Sequence, residues 1–265
     1  MAEASALDVV KTLLAFLTGA VYLYVGARLS RRHVEGDARL AWNLFTQWWY
    51  ALGVISVTGE LSTFLPLVGV TDGAVFVSFT HVLLLGLCYA FFCLVYYLVY
   101  LYTGTRRTLV PVAFFYALLY VAILYYVNWA GMYYDQAAGK IDMVRQPPHA
   151  IRIGLGLLFV LPIIGAAAMY FRLWFKVDEP TQRYRIALIA GTLVTWFGST
   201  LLSYLPAGDE TVGKLPWWPV ATRLLGLGAA LLILMAYVPP AWIRERYDVL
   251  PIEERPRRMW ARSEK

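Results

Sequence analysis

The chain has 265 residues, of which 60% are apolar and 15% are charged, whereas soluble domains average roughly 45–50% and about 25%. Its mean hydropathy is +0.59 and its formal net charge is +6. A chain of 30 kDa cannot bury this much apolar surface in its own interior. The composition therefore excludes a soluble enzyme, a nucleic-acid-binding domain, a disordered chain and a disulfide-stapled secreted module, and it predicts a membrane protein.

Seven segments have the length of a membrane-spanning helix, which takes about 20 mostly apolar residues. In chain order they are Leu7–Leu29, Leu40–Pro66, Ala74–Leu101, Leu109–Trp129, Ala150–Phe175, Ile186–Leu205 and Trp217–Ala241. Strands of a β-barrel would be about half as long. The sequence therefore predicts an all-α polytopic membrane protein: a bundle of seven transmembrane helices over residues 1–247, followed by a short basic tail over 248–265.

The first segment is expected to be retained rather than cleaved as a signal peptide. A signal peptide begins with a basic region and ends at a site of small residues. The leader Ala2–Asp8 instead contains Glu3 and Asp8 and no basic residue.

Basic residues predict the orientation, because Lys and Arg near helix ends stay on the cytoplasmic side. Of the 23 basic residues, 17 fall in the first, third and fifth linkers and the tail, and 6 fall on the opposite side. The N-terminus is therefore expected outside and the C-terminus in the cytoplasm of a multi-pass protein of the plasma membrane. The net charge of +6 then reflects topology and attraction to membrane lipid rather than to nucleic acid.

Three ionisable residues stand out inside predicted spans, where a charge is costly and marks a functional-site hypothesis. Glu60 lies six residues before Pro66, His81 six residues after Val75 and Arg223 six residues after Trp217, which is a depth of about 9 Å for each at 1.5 Å per residue. Helix six adds hydroxyl groups at a spacing that places them on one face of its outer half. These are Thr195, Ser199 and Ser203.

This polar cluster has three interpretations. In the first, its residues line a cavity that opens outward and binds a small polar or anionic ligand, or a proton. In the second, Glu60 and Arg223 form a buried ion pair, with His81 hydrogen-bonded to it, that only fixes helix packing. In the third, the helices do not bring these residues together.

The inner half of the bundle carries further polar groups. Asn43 and Gln47 lie one turn apart on helix two among aromatic residues. They are interpreted as interhelical hydrogen-bonding groups beside an aromatic belt, with a quinone or haem pocket as the alternative. Cys88 and Cys93 lie about 140° apart around helix three, so they are expected to be core thiols rather than a disulfide.

No cofactor or catalytic chemistry is predicted. A haem ligated from both sides needs two facing histidines, and His81 is the one histidine deep in a span. A retinal Schiff base needs a lysine in the last span, but Trp217–Ala241 has none and Lys214 precedes it. No metal-ligand spacing or nucleophile–base pair is visible, so the chain is not expected to be an enzyme.

Three stretches carry a family resemblance: Leu94–Gly104 (LVYYLVYLYTG), Arg183–Leu202 (RYRIALIAGTLVTWFGSTLL) and Pro239–Tyr247 (PPAWIRERY). They resemble the seven-helix N-terminal membrane regions of bacterial sensor histidine kinases, in which a Pro-Pro-x-Trp-x-x-Arg element leads from the last span to the signalling domains. The residues after Tyr247 contain no phosphoacceptor helix and no ATP-binding domain. The resemblance therefore implies a membrane sensor module that signals through a separate partner.

The tail is expected to begin where Pro239-Pro240 ends helix seven, because proline lacks the amide donor. Its basic residues have two interpretations. They are expected to contact lipid and set the orientation, or to form a docking site for a cytoplasmic or membrane signalling partner. They are Arg244, Arg246, Arg255, Arg257 and Arg258. The leading prediction is a receptor-like or sensory protein. The alternatives are a proton-coupled small-molecule transporter that uses Glu60 and His81, and a non-catalytic accessory subunit of a membrane complex.

Overall fold

The computed structural model of the protein describes residues 6–36, 38–67, 69–70, 72–135, 140–145, 149–204 and 217–247. Its helices are α1 (Ala6–Ser30), α2 (Ala38–Leu67), α3 (Gly73–Thr103), a 3₁₀ turn (Arg106–Thr108), α4 (Leu109–Ala130), α5 (His149–Trp174), α6 (Pro180–Tyr204), α7 (Trp218–Tyr237) and α8 (Ala241–Tyr247). Two short antiparallel strands, β1 (Met132–Asp135) and β2 (Lys140–Met143), lie between α4 and α5. The prediction of a mostly helical protein is confirmed, and the hairpin is an addition that the sequence did not predict.

Five of the described helical segments are long and apolar enough to cross a membrane. They are Val9–Ser30, Gly73–Thr103, Arg106–Ala130, Gly156–Trp174 and Trp218–Tyr237. The remaining long helices, α2 and α6, have 30 and 25 residues but do not reach the same apolar composition. The chain is thus a helical membrane protein by composition and length, whereas the count of seven spans stays a prediction.

Six helices form a closed ring, in the order α1, α2, α3, α5, α6, α7, in which α7 packs back on α1. The seventh long helix, α4, packs mainly against α3 on the outside of this ring. The element order places the start of α1, the end of α2 and the start of α7 at one end of the bundle. We call this the α2–α3 end, and the opposite end, where α7 runs into α8, the α8 end.

Glycines bring α1 and α2 into close contact. A methyl group added at Gly19 would lie 2.9 Å from the carbonyl oxygen of Gly53 and 2.8 Å from a methyl carbon of Val57. One added at Gly53 would lie 2.7 Å from Leu23. Because real side-chain carbons do not approach this closely, only glycine permits the observed spacing of the two helices. This contact places α1 directly alongside the polar residues of α2.

The middle of the ring is filled with aromatic side chains. Trp49 and Phe45 are fully buried, and the Phe45 ring stacks on Tyr97 of α3 at 4.3 Å between centroids. Towards the α2–α3 end, the ring of Tyr22 lies 5.7 Å from that of Trp49, and Trp196 of α6 lies 6.0 Å from Phe91. The aromatic core therefore links α1, α2, α3 and α6 through the centre of the bundle.

Glycine and proline end several helices. Gly104 follows α3 and Gly131 follows α4, each with a positive φ that closes the last turn. Helix α7 ends at Tyr237, two residues before Pro239, which confirms that the two prolines stop this helix. The tail from residue 248 onward, including Arg255, Arg257 and Arg258, lies outside the described residues.

Candidate functional site

Glu60 is the centre of a charged cluster at the α2–α3 end. Its side chain is 2% exposed, and Arg223 of α7 donates a hydrogen bond from Nη2 to its Oε1. Lys11 of α1 places its Nζ 3.7 Å from the other carboxylate oxygen, Oε2. That distance is within ion-pair range but too long for a hydrogen bond. One buried carboxylate thus connects α2 with both the first helix, α1, and the last long helix, α7.

Lys11 is the member of this cluster that the sequence did not predict. The sequence predicts only that Lys11 is one of the six basic residues on the outer side. The available signal was its position four residues inside the first predicted span, Leu7–Leu29, where a cation needs a partner.

His81 is not part of the charged cluster. Its Nδ1 lies 2.8 Å from the carbonyl oxygen of Val77, one turn earlier on α3. A carbonyl oxygen can only accept, so Nδ1 carries the proton of this bond. Among the described residues, no hydrogen bond or ion pair joins His81 to Glu60 or Arg223. The prediction placed these residues at one depth, but depth along a helix does not fix the direction in which a side chain points.

One of the three predicted hydroxyl groups of α6 forms a hydrogen bond with α7. Ser199 donates from Oγ to the carbonyl oxygen of Thr222 on α7 at 2.9 Å, so it links α6 to the helix that carries Arg223. Thr195 is half-buried on the same helix. Ser203 is helical, but its side chain lies outside the part of the chain that the structure describes.

A cavity of about 70 Å³ lies beneath Arg223, between α1, α2, α6 and α7. Its walls carry both polar and aromatic side chains. They include Thr18, Tyr22, Ser56, Trp196, Ser199 and Arg223. A polar cavity of this size can hold a few water molecules or one small polar ligand.

The polar groups of the cavity define what it can bind. The hydroxyls of Thr18 and Ser56 donate to the carbonyl oxygens of Leu14 and Leu52 on their own helices, at 2.7 and 2.8 Å. Their oxygens remain able to accept hydrogen bonds. Arg223 has five N–H donors and uses one group, Nη2, on Glu60. The cavity therefore suits a small group that accepts from a guanidinium and donates to hydroxyl oxygens.

The described part of the chain shows no constellation for metal chemistry, since it has no group of three or more His, Cys, Asp or Glu side chains that could hold an ion. Cys88 and Cys93 are buried free thiols, as expected. Of the two residues expected to bond between helices, Gln47 does so, since Tyr89 of α3 donates from its hydroxyl to Oε1 of Gln47. Asn43 lies one turn away at an exposed position.

Comparisons of the chain with protein-family models, with curated proteins and with solved structures each found no match. The resemblance to the membrane regions of sensor histidine kinases thus stays a prediction from the sequence.

Proposed function

We propose that the chain is a receptor-like or sensory seven-helix protein of the plasma membrane that binds a small polar ligand or a proton at the α2–α3 end. The observation that carries this proposal is the polar cavity lined by Arg223, the residue that also pairs with the buried Glu60. With the N-terminus outside, this end faces outward and α8 faces the cytoplasm.

The ion pair supplies a physical reason for a response to ligand. A ligand that takes up the donors of Arg223, or a proton that neutralises Glu60, weakens the contact between α7 and α2. Lys11 on α1 shares the same carboxylate, so the change affects three helices at once. A ligand that binds more tightly to the conformation without this ion pair raises the population of that conformation.

The base of the cavity favours a receptor over a carrier. Tyr22 and Trp196 line the cavity and also belong to the aromatic core. A transporter needs a polar route that continues to the α8 end, whereas the Trp49 and Phe45 side chains beyond this point are buried. The site therefore suits detection at one end of the bundle better than passage through it.

Packing supports the expectation that α2 and α6 also cross the membrane. Helix α2 packs between α1 and α3, and α6 packs between α5 and α7. All four flanking helices contain segments that can span a membrane. A 30-residue helix held along two such neighbours is long enough to cross the same layer, and its Glu60 side chain is buried in the protein.

The output of such a receptor is proposed to leave through α8 and the tail. Arg244 and Arg246 are exposed on α8. Together with Arg255, Arg257 and Arg258 of the tail, they would contact anionic lipid and a separate signalling partner.

The test uses the full-length protein in lipid nanodiscs. Thermal unfolding and tryptophan fluorescence are recorded against pH and against formate, acetate and formamide, because Trp196 lines the cavity. We expect a saturable change in the wild type that Arg223→Gln removes. Arg145→Gln is the matched control, since Arg145 lies over the Trp129 ring, away from the cavity.

Two outcomes would overturn the proposal. If no solute and no pH change produces a response that depends on Arg223, the cluster only holds the helices together, as in an accessory subunit. If proteoliposomes that contain the protein take up protons faster than empty liposomes, the protein is a carrier.

A further inference from the structure

Two carbonyl groups at the end of α7 lose their usual backbone donors. In an α-helix each carbonyl accepts from the amide four residues later. Pro239 and Pro240 have no N–H, so they cannot donate to the carbonyls of Met235 and Ala236. The last backbone bond of α7 is the one from the amide of Val238 to the carbonyl of Leu234, at 2.7 Å.

Helix α6 supplies both missing donors from two consecutive side chains. The hydroxyl of Tyr184 donates to the carbonyl oxygen of Met235 at 3.3 Å, and Nε of Arg185 donates to that of Ala236 at 3.2 Å. Arg185 is 6% exposed, so its bond forms away from water, where an unpaired carbonyl is costly. The side chains of α6 thus replace the two hydrogen bonds that the prolines remove.

We propose that Tyr184 and Arg185 are positioning residues that set the direction in which α8 leaves α7. Helix α8 begins directly after the prolines, and the amides of Ile243 and Arg244 both donate to the carbonyl of Pro240 at 3.0 Å. The orientation of the short helix is therefore defined by the turn that α6 holds.

The burial of α8 shows what this orientation achieves. Ile243 is buried, while Trp242 and Arg244 on either side of it are exposed. A different exit direction would withdraw Ile243 from the bundle and turn the exposed basic residues elsewhere. Tyr184 and Arg185 consequently determine which surface of α8 faces lipid or a partner.

Helix α6 also contacts α7 near the cavity, through the bond from Ser199 to the carbonyl of Thr222. Side-chain hydrogen bonds therefore join α6 to α7 both near the cavity and at the α8 end. A shift of α6 along α7 has to break the bonds at both places. The positioning role itself stands independently of ligand binding in the cavity.

The experiment is a double-mutant cycle on the full-length protein, read by hydrogen exchange of the backbone amides of residues 241–247. Tyr184→Phe removes one hydroxyl, and we expect exchange in α8 to become about 2- to 12-fold faster, the range for one lost hydrogen bond. Pro239→Ala restores an amide donor for the Met235 carbonyl. In that background, Tyr184→Phe should have little or no further effect.

Tyr102→Phe is the control, because it makes the same chemical change at an exposed position. Three results would overturn the inference. The first is unchanged exchange in α8 for Tyr184→Phe, and the second is an equal effect of Tyr184→Phe with and without Pro239. The third is faster exchange spread over all helices together with a lower melting temperature, since that pattern describes general loss of stability rather than positioning.

Discussion

Arg223 on α7 donates a hydrogen bond to Glu60 on α2, although the two residues are 163 positions apart in the sequence. Their surroundings differ. The side chain of Glu60 is 2% exposed, whereas that of Arg223 is 45% exposed. A charge that loses its partner therefore costs more free energy at position 60 than at position 223.

This asymmetry predicts unequal effects of the two single mutants. Arg223→Gln leaves the buried Glu60 with Lys11 at 3.7 Å, whereas Glu60→Gln leaves an arginine whose side chain lies partly outside the protein interior. Breaking a fully buried pair costs about 3–5 kcal/mol. We expect Arg223→Gln to cost less than that, because one side of the pair is only partly buried, and Glu60→Gln to cost less than Arg223→Gln. The free energy of unfolding in detergent measures both.

The double mutant Glu60→Gln/Arg223→Gln should recover part of the loss, since no unpaired charge remains between these two positions. Arg145→Gln serves as the control for removing an arginine outside the cluster. Strictly additive losses would show that the two residues do not interact in the membrane-extracted protein.

The sequence offered this pair as one of three interpretations of the polar cluster, and it did so for one physical reason. Charges inside an apolar span need partners, so Glu60 and Arg223 stood out, and α1 (Ala6–Ser30) lies within a residue of the predicted Leu7–Leu29. The rotation of each helix about its axis is set by long-range packing. That information was missing for His81, which bonds to its own helix.

Long-range packing also determined two features that the sequence left open. The prolines at 239 and 240 were correctly predicted to stop α7, but nothing local shows that Tyr184 and Arg185 supply the missing donors. The β1–β2 hairpin has strands of four residues, too short for a clear alternating pattern, and its segment was predicted only as a linker.

His81 should contribute less to stability than the charged cluster does. Its bond to Val77 lies within α3, so we expect His81→Phe to change the free energy of unfolding by about 1 kcal/mol or less. The free energies of unfolding of His81→Phe and Arg223→Gln, measured in the same detergent, test this difference. A loss in His81→Phe as large as that in Arg223→Gln would show that His81 belongs to the charged cluster.

The contact between α1 and α2 should be sensitive to a single methyl group. In Gly19→Ala the new carbon meets the Gly53 backbone oxygen at 2.9 Å, and the two helices have to separate. Gly228→Ala is the matched control, because no heavy atom lies within 4 Å of its added carbon. Both changes gain the same helix propensity. Relative to the control, we therefore expect Gly19→Ala to lower the free energy of unfolding by about 1–3 kcal/mol, the usual cost of overpacking. Equal melting temperatures for the two variants would mean that α1 moves away without cost.

The predicted topology can be tested with single cysteines and a thiol reagent that does not cross membranes. The native Cys88 and Cys93 are buried, so they give little background in the folded protein. Val144→Cys places a thiol beside the hairpin, at a position that is 74% exposed, and it should react in intact cells if the N-terminus is outside. Glu35→Cys lies in the exposed linker between α1 and α2, and it should react only after the cells are opened.

The reverse pattern would place the α2–α3 end, with Glu60 and Arg223, in the cytoplasm. Labelling of both positions in intact cells would contradict an odd number of spans between them, because Glu35 and Val144 are separated by α2, α3 and α4.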